Sequence, residues 1–315
     1  MDSPRAERGP AKEATVTIGF VLSEQVAVRE AIGYGVAAER AGFDRLLMAD
    51  HFQPWMDVQG HAPQAWVALG ALGQRTLRIP FGTSVTCPIY RYRPTVVAQA
   101  FATLGALYPG RVFLGLGPGD ARDEAPASGD WGDARERSDR LVEAVAIIRR
   151  LWQGGSVTHH GRHFHLSEAR LYDLPPLPVP LYIAAKGPES MRLAGRHGDG
   201  LITGAGAALR PDLRAAFAAG AREVGKDPGD MPILAELFVV VGEGAPPPTT
   251  DALAGPWVVS ADPEAHAAAI RALLDAGVSE VYINAAQPDQ ARALAFYAGE
   301  VLPRVRGQRE RAWGA

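Results

Sequence analysis

Eight short apolar runs, rich in β-branched residues, punctuate the chain at 16–21, 45–49, 79–85, 111–116, 181–185, 200–203, 233–241 and 280–284. They are continuous rather than alternating, which is the pattern of strands covered on both faces, as in a parallel sheet. Between most of them, apolar positions recur at helical spacing. Over 138–152, Leu141, Val145, Ile148 and Trp152 share one face, with Ser138 placed as N-cap and Gly154 just beyond the end. Over 30–40 the pattern buries Ile32, Val36 and Tyr34 and stops at Gly42; 265–274 repeats it and stops at Gly277. Eight strands alternating with helices over this length predict an α/β fold of the (β/α)8 TIM-barrel kind, rather than an open doubly wound sheet.

Two stretches break the alternation. Residues 155–180 are too many for a simple helix-to-strand loop. Within them, 157–166 turns at Gly161 as a β-hairpin and is followed by a Pro-rich return, an insertion after the fourth helix. The second insertion, 242–255, follows the seventh strand; Pro246, Pro247 and Pro248 mark it as an exposed loop placed to cover a substrate. Residues 1–14 are polar and read as a disordered leader, 15–306 as a single barrel domain, and 307–315 as a C-terminal tail. No apolar stretch approaches the roughly 20 residues that a membrane span needs.

Composition narrows the function. With 315 residues, 47% of them hydrophobic, the chain can bury a sizeable core. A net charge of -3 and the lack of a basic run argue against a nucleic-acid partner. The single cysteine, Cys87, excludes an intramolecular disulfide and a multi-cysteine metal site, and fits a reducing, cytoplasmic setting. His159, His160, His163 and His165 straddle Gly161, so alternate side chains point to opposite faces of the hairpin and no metal site is expected there.

Active sites of TIM barrels lie at the C-terminal ends of the strands, and those ends here carry Glu24, Asp50, His51, Ser84, Asp120, Lys186 and Thr203. Residues 49–55, Ala-Asp-His-Phe-Gln-Pro-Trp, form the centre of interest. A strand delivers Asp50, His51 and Trp55 into a loop where Pro54 forbids further regular structure. A histidine in that place can take the proton that leaves an alcohol as its hydride departs, or can be a strand-end histidine bonded for structure. Trp55 and Trp66 can each wall a flat ligand or pack locally. The run Gly115-Leu116-Gly117-Pro118-Gly119-Asp120 lacks the dinucleotide GxGxxG spacing. Its glycines let the backbone approach a ring system, with Asp120 in the mouth, although an ordinary strand-end turn fits the spacing equally. Lys186, beside the N-terminus of a helix at 190–196, suits a phosphate.

On residues 49–55, Gly82-Thr83-Ser84-Val85, the stretch Ala-Gln-Ala-Phe-Ala-Thr at 98–103, Leu-Tyr-Pro-Gly-Arg-Val-Phe-Leu-Gly at 107–115 and Tyr-Ile-Ala-Ala at 182–185, the chain resembles the luciferase-like family, in its branch of coenzyme F420-dependent glucose-6-phosphate dehydrogenase-like oxidoreductases. The likeness is dense over about residues 15–205 and looser over the last barrel unit. It implies a TIM barrel that binds the deazaflavin F420 at its mouth and moves a hydride between the cofactor's C5 and an alcohol, carbonyl or imine carbon. It casts His51 as the base, Trp55 as a stabiliser of the transition state, and Glu24 and Asp120 as acids near the reacting ring. It places Asp50, Ser84, Val85, Cys87, Gly117, Gly119, Asp123, Ala184, Ala185, Lys186, Gly187 and Thr203 around the cofactor, with a non-proline cis peptide at Ser84-Val85. Family relatives are commonly homodimers, and a homodimer is expected.

Three departures colour that expectation. Asp120 stands where the family has glutamate, and Lys186 where relatives have a small residue. The sugar-phosphate clamp segment is short, and 237–259 contains no Lys or Arg, which points away from a phosphorylated sugar and towards an unphosphorylated sugar-like or secondary-metabolite substrate. An FMN-dependent monooxygenase on the same fold, or a barrel that binds F420 without turnover, remain the alternatives.

Overall fold

The computed structural model describes residues 16–243 and 255–312. Its strands are β1 (Thr17–Leu22), β2 (Arg45–Met48), β3 (Phe81–Thr83), β4 (Val112–Leu116), β5 (Val157–His160), β6 (His165–Ala169), β7 (Leu181–Ala184), β8 (Gly200–Gly204), β9 (Ile233–Val241), β10 (Val258–Ser260) and β11 (Glu280–Ala285). Eight of them are the eight apolar runs of the sequence. They pair in parallel in the order β9-β11-β1-β2-β3-β4-β7-β8, and a β8–β9 pairing closes the barrel, with Leu201 opposite Ile233. Strand β10 extends the sheet beside the end of β9.

The helices named below are α1 (Val28–Arg40), α2 (Ala65–Arg75), α3 (Pro94–Leu107), α4 (Ala121–Ser128), α5 (Ala134–Trp152) and α6 (Pro188–His197). Helix α5 begins a turn earlier than its apolar spacing suggested. Asp133, not Ser138, is its cap: the Asp133 carboxylate accepts from the Glu136 amide at 2.8 Å, and Ser138 inside the helix donates to the Ala134 carbonyl. The charged first turn carries no apolar signal, so periodicity alone starts the helix too late. Its buried face, Leu141, Ala144, Val145, Ile147, Ile148 and Leu151, packs on the barrel, each fully buried Leu or Ile stabilising by roughly 1.5–3 kcal/mol.

Helix α1 is turned differently from its pattern. Ala31, Ile32, Gly35, Ala38 and Glu39 are its buried residues, whereas Tyr34 and Val36 are half-buried. Small residues face inward because a Cβ on Gly35 would lie 2.5 Å from Leu72 of α2. The buried carboxylate of Glu39 is satisfied, accepting from the amides of Leu77, Arg78 and Ile79. Gly42 and Gly277 end their helices at φ 87° and 92°, backbone that favours glycine.

The hairpin falls where expected, as antiparallel β5 and β6, and follows α5. The loop expected after β9 lies mostly outside the described residues, as do the leader 1–14 and the last residues of the tail. No described helix is long and apolar enough to cross a membrane. One large core fills the space between barrel and helices; a second, smaller cluster of Val21, Leu47, Phe113, Tyr182, Ile202, Leu234 and Tyr282 fills the barrel interior and forms the floor of the mouth.

Candidate active site

Above that floor opens a cavity of about 700 Å³, walled by residues from the ends of all eight barrel strands. Glu24 follows β1; Asp50, His51 and Trp55 follow β2; Ser84, Val85 and Cys87 follow β3; Gly119, Asp120, Asp123 and Glu124 follow β4. Ala184, Ala185 and Lys186 come from β7 and its loop, Thr203 from β8, Glu236 and Phe238 from β9, and Asn284 from β11. The loops run from the C-terminal ends of parallel strands, so one mouth collects groups distant in the chain.

His51 is the centre of this arrangement. Its Nδ1 lies 2.9 and 3.0 Å from the two Glu24 carboxylate oxygens, and its Nε2 lies 3.7 Å from Asp123 Oδ2. Burial pushes the imidazole down, but the Glu24 hydrogen bond and the charges of Glu24, Asp123 and Asp50 outweigh it and lift the ring to about 9. The Trp55 ring stands 6.3 Å from the His51 ring, held by Arg122, which donates to the Trp55 carbonyl and lies 5.7 Å over its indole.

Asp50 is only 1% exposed, and its carboxylate is held by groups other than His51. It accepts from Thr86 Oγ1 at 2.6 Å and from the Tyr92 hydroxyl at 3.2 Å, with the Arg91 guanidinium at 3.4 Å. Arg91 also holds Glu124 at 2.9 Å. Burial raises both carboxyls, although Arg91 counters it. Trp66 belongs to this support rather than to a ligand wall: its ring packs tilted on Tyr92, centroids 4.2 Å apart, and its indole N–H donates to Thr86.

The glycines after β4 have distinct uses. A Cβ on Gly115 would sit 2.0 Å from the Thr83 carbonyl oxygen, so neighbouring strands meet there only without a side chain. Gly119 turns at φ 73° into α4. Asp120 lies at the rim and caps α4 by accepting from the Arg122 amide at 3.0 Å. The acid aimed at His51 is Asp123, one turn on. It is 3% exposed, its Oδ1 has no partner, and burial raises it. The neighbouring Glu124 Oε2 is likewise buried without a partner.

The remaining expected contacts divide. The Ser84-Val85 peptide is cis. Val85, Ala184, Ala185, Thr203 and Cys87 line the cavity; burial pushes the Cys87 thiol well up, so it stays neutral. Gly117 and Gly187 lie behind the wall: Gly117 backs Val85, and Gly187 caps α6. The amides of Lys186 and Gly187 both point at Ser190 Oγ, at 3.2 and 3.1 Å, so the helix N-terminus spends two donors on its own cap. Lys186 itself is exposed on the cavity wall. His159, of the histidine-rich hairpin, bonds Glu143 at 2.9 Å, and no described set of three acidic, histidine or cysteine residues is arranged to hold a metal.

Several groups escaped the sequence reading. Glu236 is a lone acid in the apolar run 233–241, and that isolation was the available signal, because a buried carboxylate needs a partner. It accepts from Ser84 Oγ and, at 3.3 Å, from Asn284 Nδ2, and burial raises it. Arg91 and Glu124 carried no such mark. Phe238 and Trp257 stack at 4.8 Å as an apolar wall of the same cavity.

A closed parallel barrel, a deep, largely apolar cavity at its C-terminal mouth and a histidine set between two carboxylates give this chain the fold and site of a TIM-barrel enzyme. The luciferase-like monooxygenase family model matches residues 14–294, and the chain belongs to that family. It is 42% identical to the F420-dependent hydroxymycolic acid dehydrogenase of Mycobacterium tuberculosis, over 96% of this chain and 92% of that protein. It is 41% identical to the F420-dependent glucose-6-phosphate dehydrogenase of Beutenbergia cavernae, over 92% of this chain and 98% of that one. Among solved structures, an F420-dependent secondary alcohol dehydrogenase in complex with an F420-acetone adduct matches with a TM-score of 0.85 at 32% identity, covering 92% of this chain and 99% of its own.

Proposed function

We propose that this chain is a coenzyme F420-dependent oxidoreductase acting on an alcohol, or on the matching carbonyl or imine, of a small unphosphorylated molecule. The observation that carries the reading is the Glu24–His51 pair, bonded at 2.9 Å on the wall of a cavity large enough for a tricyclic ring and a small substrate together. When bound, the deazaflavin supplies the hydride acceptor or donor at C5.

The residues present suit such a group. Val21, Val85, Ala184 and Ile202 give the cavity an apolar lining that suits a ring system, and Gly119 lets the chain pass against Cys87, Glu124 and Trp131 where a Cβ would crowd them. Lys186 suits the cofactor's phosphate. His51 exchanges the substrate's hydroxyl proton through Nε2, while Glu24 fixes Nδ1 and hence the ring's orientation. Trp55 shields the reacting atoms from water. Lys186 is the one lysine, and no arginine appears, among the described lining residues, which supports a substrate without a phosphate dianion, of a sugar-like or secondary-metabolite kind. Two copies are expected to pair, which sizing in solution tests.

Titration with F420 and, separately, with FMN, following tryptophan fluorescence, tests the cofactor. Tight F420 binding with weak FMN binding is the expected result; tight FMN binding without F420 binding would overturn the reading. Alcohols are then screened for F420 reduction, and ketones or imines for oxidation of the reduced cofactor.

A further inference from the structure

His51 is flanked on both ring nitrogens. Glu24 faces Nδ1, and Asp123, on α4, faces Nε2 at 3.7 Å. Asp123 is buried to 3% exposure, and its other oxygen, Oδ1, has no partner. A carboxylate so placed is costly unless a cation stands opposite, and the group opposite is the imidazole. Around the ring the remaining charges are Asp50 on its own loop, Glu236 on β9 and Lys186 beyond β7; Arg122 and Asp120 act on Asp123 from α4 and its cap. The charges that act on the ring most strongly, Glu24, Asp123 and Asp50, are all acidic.

Resting on the oxidoreductase reading above, we propose that Asp123 is a positioning residue that, with Glu24, holds His51 as imidazolium, so that at neutral pH the site gives a proton to a carbonyl oxygen rather than taking one from an alcohol. In that step the Nε2–H bond breaks, its electron pair stays on the ring, and an O–H bond forms from the carbonyl π pair. The carbonyl carbon receives a hydride from the reduced deazaflavin, so the carbonyl is reduced and the cofactor oxidised. Neutral His51 returns to imidazolium by uptake of one proton from water. The high pKa of His51 agrees with this arrangement.

The test begins without cofactor. Ring nitrogens of 15N-histidine-labelled protein are followed by NMR against pH, with the His51 signal assigned by its loss in His51→Asn. The wild-type ring should stay doubly protonated through neutral pH, with a midpoint near 9. Asp123→Asn, which keeps the shape and removes the charge, should lower that midpoint by about one unit or more, and Glu24→Gln should lower it too. A wild-type midpoint near the ordinary 6.5, or a midpoint unmoved by Asp123→Asn in a protein with an unchanged melting curve, would overturn the proposal. The wild-type titration decides the first point even if the variant fails to fold. In the loaded enzyme, the alkaline loss of kcat/KM for carbonyl reduction should move to lower pH in Asp123→Asn, by the same shift. Failure to bind F420 would sink the cofactor reading and leave the NMR result standing, so the two can fail separately.

Discussion

Replacing Arg91 by methionine isolates the support beneath the catalytic loop. The guanidinium is 10% exposed and is the cation that faces two fully buried acids: it donates from Nη2 to the Asp50 carbonyl at 2.5 Å, lies 3.4 Å from Asp50 Oδ1 and 2.9 Å from Glu124 Oε1. It also lies 4.2 Å over the Tyr92 ring, so methionine keeps much of the packing and removes the charge. Removing one partner of a buried pair leaves uncompensated charge and costs about 3–5 kcal/mol. Proton uptake limits the loss, because Asp50 and Glu124 are already raised by burial and each unit between pH 7 and a pKa is worth about 1.4 kcal/mol. At about 2 °C per kcal/mol for a chain of this length, Arg91→Met should melt lower at pH 7 by at most about 6–10 °C.

The pH dependence carries a sign. A carboxyl raised in the folded state binds its proton more readily there than in the unfolded chain, so the variant should regain stability as pH falls from 7 towards 5, more than the parent does. Adding Glu124→Gln to the variant should recover part of the loss. Urea unfolding at pH 7 and pH 5, with calorimetry, measures all three. A loss below about 1 kcal/mol, or one that grows on acidification, would refute the reasoning.

Other outcomes follow from single contacts. His51→Ala should abolish turnover and leave F420 affinity nearly intact; a variant with normal kcat would remove His51 as the proton-transfer residue. Gly115→Ala should cost about 1–3 kcal/mol or more in urea unfolding, since the new Cβ would meet the Thr83 carbonyl, which is backbone and has no rotamer to yield; near-neutral stability would contradict the close approach. His266 is fully buried between the Tyr297 hydroxyl at 2.8 Å and the Ser260 carbonyl at 3.0 Å, and burial lowers it. Its contribution is complete above the ordinary histidine value and is lost as pH falls through the lowered one, so His266→Gln should melt with a shallower acid limb than the parent between pH 7 and 5.

What could be read from the sequence was what one segment decides alone. Strands buried on both faces must be apolar throughout, so all eight barrel strands stood out, and the hairpin at Gly161 announced itself by its spacing. The strand ends then pointed to Glu24, Asp50, His51, Ser84 and Thr203, all of which reach the cavity. Helix faces were less legible. Tyr34 and Val36 looked more hydrophobic than Gly35 and Ala38, but the close approach of α2 to α1 at Gly35 selected the smaller side chains. Only the closed barrel decided which charges meet. Asp123 and Glu124 are ordinary acids in the first turn of a helix until closure sets one against His51 and the other against Arg91. Periodicity and capping are local and leave their mark within a few residues, whereas a buried ion pair depends on register, strand order and the path of separate loops, which no single stretch of chain contains.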